Sequence, residues 1–186
     1  HVAGYYLLRD ARAQLDELGL HHLSRRMRRF MVNALQSALF NQVVARRIAS
    51  DTLDTMILGD VAKKEDTGGI FTVEDLAAER PRAAAWEISA TGPIYGYKMM
   101  TAKAAAREIE DEILDGAGLV LEDFRPARAR GLRRPMRYNP EGLTWSWEDP
   151  RTLVVSFFAP KGAFATMLLA ELMKKDDVYR RLEGDS

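Results

Sequence analysis

The residues able to do chemistry are unevenly spread along this sequence. Arg9, Arg12, Arg25, Arg26, Arg28, Arg29, Arg46 and Arg47 face only Asp10, Asp16 and Glu17 over the first fifty positions. Arg125, Arg128, Arg130, Arg133, Arg134 and Arg137 form a second basic block with no acid among them. A guanidinium fork donates hydrogen bonds in pairs, so such blocks suit phosphate groups. The plainer alternative is a set of solvated helix faces and strand edges. Near the end, Leu153-Val-Val-Ser-Phe-Phe runs at strand length to Pro160, turns through Lys161-Gly162, and continues with helical spacing from Ala163. A strand that delivers a short loop and a helix start can hold a small polar group, because the first backbone N–H groups of a helix have no internal partners.

Other chemistries are poorly served. His1, His21 and His22 are too few and too local for a metal set, and no cysteine assists them. Those histidines have no nucleophile elbow to serve, and neither Gly68-Gly69 nor Lys161-Gly162 matches a phosphate-binding or dinucleotide fingerprint. Formal net charge is zero, so no overall field draws a polyanion, and the absence of cysteine suits a reducing cytosol. No apolar run approaches the roughly 20 residues that cross a bilayer. The sequence opens at His1 without a methionine or a visible signal peptide, and is expected to be part of a longer chain.

The elements that must position these residues follow from periodicity. With 186 residues, 47% of them hydrophobic, the chain can build one ordinary core or two small ones. Helices are expected from Tyr5 to Leu18 and, capped by Ser24, from there to about Ala49. The second has an apolar stripe of Met27, Met31, Ala34, Leu35, Ala38, Leu39 and Val43. Its amides and hydroxyl, Asn33, Gln36, Ser37, Asn41 and Gln42, could satisfy buried backbone groups or meet an RNA edge. Met56–Ala62 and Ile70–Val73 read as strands of a hairpin through Glu65–Gly69. Thr72, with Asp75, resembles the start of a helix that should stop before Pro81. Trp86–Ala90 reads as a short strand before a turn-rich Thr91–Gly96, and Thr101 as the cap of a helix from Ala102 to Asp115. Leu132–Tyr138 could be an edge strand tolerating Pro135. Leu143–Glu148 and Leu153–Phe158 should pair across Asp149-Pro150. Strands and helices in no regular βαβ order make the expected class α+β.

Ala34-Leu-Gln-Ser-Ala-Leu-Phe-Asn-Gln42, Ile88-Ser-Ala-Thr-Gly-Pro-Ile-Tyr-Gly96 and the ordered segments Gly131–Arg137, Leu143–Trp147 and Ser156–Thr166 together resemble the TruD family of tRNA pseudouridine synthases. The first is similar to that family's QS-x-LFN helix and the second to its TGP-x-x-G turn. The rest resembles its closing segment, and the likeness runs from about Phe30 to Met173.

The resemblance implies a cytoplasmic isomerase that converts a uridine of tRNA, uridine 13, to pseudouridine without cofactor or metal. The base must leave its stack, so an aromatic ring and basic surfaces are expected near the site. By the family's pattern Phe164 would line the uridine pocket, with Lys161 and Gly162 shaping the approach. Where the family's loop carries serine this sequence has Ala163, so that hydroxyl contact is lost or made elsewhere. Arg25, Arg26, Arg133, Arg134 and Arg137 are the candidate RNA contacts. The family's catalytic aspartate stands in a Gly-x-Lys-Asp motif that does not occur here; Lys175-Asp176 lacks the glycine. The expected organisation is therefore a family-specific inserted domain over 1–138 and the end of a catalytic domain over 139–186. Such a chain should be inactive alone. A stand-alone RNA-binding module without catalysis is the competing reading, and a scaffold whose arginines serve proteins is a third.

Overall fold

The computed structural model describes residues 23–159 together with 168, 169, 172 and 173. The expected first helix and the Pro160–Thr166 loop, with Lys161, Gly162 and Phe164, lie outside the described residues. The chain divides into two compact units, His1–Met136 and Arg137–Ser186.

Helix α1, Arg25–Ala49, opens as its sequence predicts: the Ser24 hydroxyl accepts from the Met27 amide at 3.2 Å. Its buried face differs from the expected stripe. Val32, Leu35, Gln36, Leu39, Phe40, Val43 and Arg47 point inward, whereas Met27 is 44% exposed. Two polar residues take core positions because each finds a distant partner, which hydrophobic periodicity does not register.

Strands β1 (Val61–Lys64) and β2 (Ile70–Thr72) form the expected hairpin, closed by Lys64 N–H donating to the Gly69 carbonyl at 2.8 Å. The first strand starts five residues later than its apolar run. Gly59 turns the chain there at φ +86°, so close to Lys103 that an added Cβ would sit 1.8 Å from that carbonyl oxygen. Helix α2 spans Leu76–Ala84. Asp75, rather than Thr72, caps it by accepting from the Ala77 and Ala78 amides. Pro81 lies inside this helix instead of ending it. The ring removes one donor, and the next turn closes normally through Ala85 N–H to the Pro81 carbonyl at 2.9 Å.

Strand β3, Ile88–Ile94, begins after Trp86 and absorbs Thr91-Gly-Pro, which the sequence predicts as a turn. Gly92 is needed for contact rather than for turning: a Cβ there would lie 2.9 Å from the Phe40 ring. Pairing with β1 stops at Thr91, so Pro93 meets only β4. Helix α3, Ala104–Gly116, starts two residues late and without the Thr101 cap. The Ala106 amide donates instead to the Leu58 carbonyl, a backbone partner from a remote loop. A 3-10 turn, Leu121–Phe124, precedes β4, Leu132–Pro135.

The sheet order is β2-β1-β3-β4, antiparallel throughout, with Pro135 on an edge strand as its sequence predicts. Val61 packs with Ala102 and Ala106 of the α3 segment. Ala62, Ile88 and Ala90 pack with Met56, Val73 and Ala83 of the α2 side. The largest cluster joins Leu35, Leu39 and Val43 to Tyr95, Leu114, Leu119 and Phe124. Helices packed on an antiparallel sheet make this an α+β fold.

In the second unit, β5 (Glu141–Asp149) and β6 (Thr152–Phe158) form a two-stranded hairpin. The Asp149 carboxylate accepts from the Thr152 hydroxyl and the Arg151 amide, both at 2.7 Å, which holds its carboxyl below the usual range. Trp145 pairs with Val155 and Trp147 with Leu153, so these four side chains share a face. Trp145 is 68% and Trp147 61% exposed, an apolar sheet face open to solvent.

Candidate nucleic-acid interface

The two basic blocks separate by burial into locks and surface charges. Arg47 spans α1 and the Gly59 turn, its fork reaching both oxygens of Asp60 at 2.8 and 3.1 Å. It also donates to the carbonyls of Thr52 and Thr55. Arg133 does the same from β4. Nη1 and Nη2 donate to the two Glu110 oxygens at 2.9 and 2.7 Å, and Nε and Nη2 to the Thr91 hydroxyl and carbonyl. Its side chain is 1% exposed. Every buried side-chain polar atom among the described residues has a partner. Arg133, a predicted RNA contact, therefore stands inside the domain with its donors committed.

The other predicted contacts are nearer the surface. Arg25 and Arg26 are exposed in the first turn of α1, which carries no acidic residue. Cations there oppose the helix dipole by about 0.3–1 kcal/mol each, a cost that a bound phosphate would reverse. Arg134 is half-buried, its guanidinium 5.1 Å from the Phe40 ring centre, and Arg137 is half-buried in the second unit. Along α1, Asn33, Ser37 and Gln42 face outward and Asn41 is half-buried, while Gln36 is buried and donates to the Tyr95 carbonyl at 2.5 Å. The amides thus divide between the two roles open to them.

Segments remote in sequence converge here. Gln36 holds Tyr95, Phe40 sits on Gly92, and Arg133 holds Thr91. Tyr95 donates its hydroxyl to the Glu110 carbonyl at 2.6 Å, and burial first, then the Glu110 charge, pushes its phenol far above its usual range. Beyond Tyr95 the chain crosses the strand leading into β4. Tyr97 N–H donates to the Ala129 carbonyl, and Gly131 N–H to the Tyr97 carbonyl. A Cβ on Gly96 would lie 2.3 Å from the Gly131 nitrogen, so only glycine fits. Sequence reasoning missed Asp60 and Glu110 as partners and gave Tyr97 and Lys98 no role. The glycine closing Thr91–Gly96, followed directly by an aromatic and a cation, was the signal for the last two. Nothing among these groups forms a general acid–base pair, and among the described residues no cluster of three His, Asp or Glu could hold a metal ion. The described arrangement is a frame with a basic surface. Among the described residues no helix is long and apolar enough to cross a membrane.

The family model described as tRNA pseudouridine synthase D (TruD) matches residues 8–172. A tRNA pseudouridine synthase D of Thermus thermophilus is 45% identical over 93% of this chain and 45% of its own length. One from a Geobacter species is 40% identical over 86% and 40%. Among solved structures, TruD from Methanosarcina mazei superposes with a TM-score of 0.68 at 25% identity, covering 84% of this chain and 40% of that one. The chain thus spans somewhat less than half the length of the relatives it matches. By the extent of these matches, which cover the helix, strand and loop segments in order, the chain belongs to the TruD family of tRNA pseudouridine synthases.

Proposed function

We propose that the protein containing this chain isomerises uridine 13 of tRNA to pseudouridine, and that the chain alone binds tRNA without modifying it. The observation that carries this reading is the family match over residues 8–172 in a sequence that lacks the Gly-x-Lys-Asp motif. In this reading 1–138 is the family's inserted domain and 139–186 the closing part of the catalytic domain. Phe164 offers its ring to the flipped uridine, and Lys161 and Gly162 shape the loop that presents it. Arg25, Arg26, Arg134 and Arg137 meet the RNA backbone, while Arg133 acts by holding β4 in place. The reaction needs no redox change or group carrier, so no cofactor or metal is assigned, and a cytoplasmic location is part of the same proposal.

The test incubates a tRNA transcript with the whole protein and, separately, with the 186-residue chain, followed by nucleoside analysis. Pseudouridine is expected only from the whole protein. Its formation by the chain alone overturns the inactivity. Its absence with the whole protein overturns the enzyme reading in favour of an RNA-binding module.

A further inference from the structure

The Gly96–Gly131 crossing gathers cations that the locks do not use. Lys98 follows Tyr97 directly, and Arg128 and Arg130 flank Ala129, whose carbonyl accepts from the Tyr97 amide at 3.2 Å. Tyr97 and Arg130 are bridged as parallel neighbours, a spacing of about 4.8 Å between strands. Lys98, Arg128 and Arg130 are all exposed, and among the described residues no carboxylate pairs with them.

The nearby described carboxylates are engaged elsewhere. Glu122 is tied to Arg125 by two hydrogen bonds of 2.5 and 2.9 Å, and Arg125 in turn lies 5.5 Å from the Tyr97 ring centre. Asp123 accepts from the Val120 amide at 2.8 Å. Two of the three cations also adopt the left-handed backbone region, Lys98 at φ +59° and Arg128 at φ +51°. Long side chains rarely take that conformation, and such strain clusters at ligand clamps. A crossing that admits only glycine, three cations without a carboxylate partner among the described residues and two left-handed residues meet where 96–98 and 128–131 cross.

We infer that Lys98, Arg128 and Arg130 form a phosphate-binding patch for the sugar–phosphate backbone of RNA, in addition to Arg25, Arg26, Arg134 and Arg137. The inference rests on the proposed action on tRNA. Arg125 is a spacer, its charge offset by Glu122 and its guanidinium seated over the Tyr97 ring. Three phosphate contacts contribute a salt dependence of about 2–3 in the slope of log affinity against log salt concentration.

The test compares tRNA binding by the whole protein with that of a Lys98→Gln/Arg128→Gln/Arg130→Gln variant over a salt series. Circular dichroism checks that each variant is folded. A Lys63→Gln/Lys103→Gln/Arg151→Gln variant removes the same charge elsewhere. The patch variant should bind about 100-fold more weakly near 0.1 M salt with its slope reduced by about 2–3, while the control changes by less than one. An unchanged slope in the patch variant overturns the inference and leaves the tRNA reading standing, as does an equal loss in the control. Failure of the unsubstituted protein to bind tRNA at low salt overturns both.

Discussion

Arg133 decides whether the second basic block is a grip or a frame, and one substitution separates the two. Arg133→Met removes a guanidinium that makes two bonds to Glu110 and two to Thr91, in a pair whose side chains are 1% and 7% exposed. The Glu110 carboxylate would remain in the core without its partner. Stranding one member of a buried ion pair costs about 3–5 kcal/mol, a large part of the roughly 5–15 kcal/mol that holds a domain folded. At about 2–4 °C per kcal/mol for a chain of this size, the midpoint of thermal unfolding should fall by roughly 6–20 °C. Arg133→Met with Glu110→Leu removes both charges and should recover most of the loss. A deficit of about 1 kcal/mol remains from the Thr91 carbonyl, whose donor is gone. The double-mutant cycle, read by urea unfolding with circular dichroism, should therefore give a coupling of at least about 2–4 kcal/mol, larger by whatever Glu110→Leu costs alone. The folded double variant should bind tRNA with an unaltered salt slope. A single-variant cost below about 1 kcal/mol, or a slope reduced by about one in the double variant, would show that Arg133 reaches a phosphate and that the lock is misread.

Two further outcomes follow from buried and bare aromatic groups. Burial raises the Tyr95 phenol above its ordinary value near 10. Its stabilising effect is therefore complete below about pH 10 and is lost as pH rises beyond that, because the unfolded chain releases the proton first. Tyr95→Phe should remove up to about 1.4 kcal/mol per pH unit of stability loss above pH 10. An unchanged alkaline slope in urea-unfolding titrations would show a phenol open to solvent. The exposed face of Trp145 and Trp147 should make the 186-residue chain self-associate in sedimentation velocity at tens of micromolar. Trp145→Thr with Trp147→Thr should restore the monomer. A concentration-independent monomer before substitution would contradict this.

What could be read from the sequence was what neighbouring residues decide. Ser24 as a cap, the Glu65–Gly69 hairpin, the Asp149-Pro150 turn and Pro135 on an edge strand all depend on a few adjacent positions. The misreadings share a nonlocal cause. Gln36 takes the first of the two roles its sequence allows, on a carbonyl 59 residues away, whereas Arg47 reads as a surface charge because its partner Asp60 lies 13 residues on. Thr91-Gly-Pro reads as a turn until Phe40 is placed on Gly92, and Thr101 reads as a cap until Leu58 supplies the carbonyl. The segments that carry the family resemblance, on either side of Phe40, Gly92 and Gly131, are the ones that meet, so the resemblance reports a frame. Phe164 and its loop, where the resemblance points to chemistry, fall outside the described residues.

A chain of zero net charge is an unpromising RNA binder only if its charges are mixed, and the sheet order separates them. The acidic turn of Glu65 and Asp66 and the α2 cap at Asp75 flank β2, whereas Arg134 and the crossing that leads into β4 lie at the opposite edge. Three strand spacings of about 4.8 Å put roughly 14 Å between those edges. At physiological salt the screening length is about 8 Å. A phosphate at the β4 edge therefore feels Lys98, Arg128 and Arg130 more strongly than the β2 acids. Acids that could have neutralised the basic blocks from within, Asp60 and Glu110, are each committed to one buried arginine. Binding of this kind draws on contact rather than long-range attraction, so added salt should weaken it mainly through the local phosphates, and the total charge of the chain should matter little.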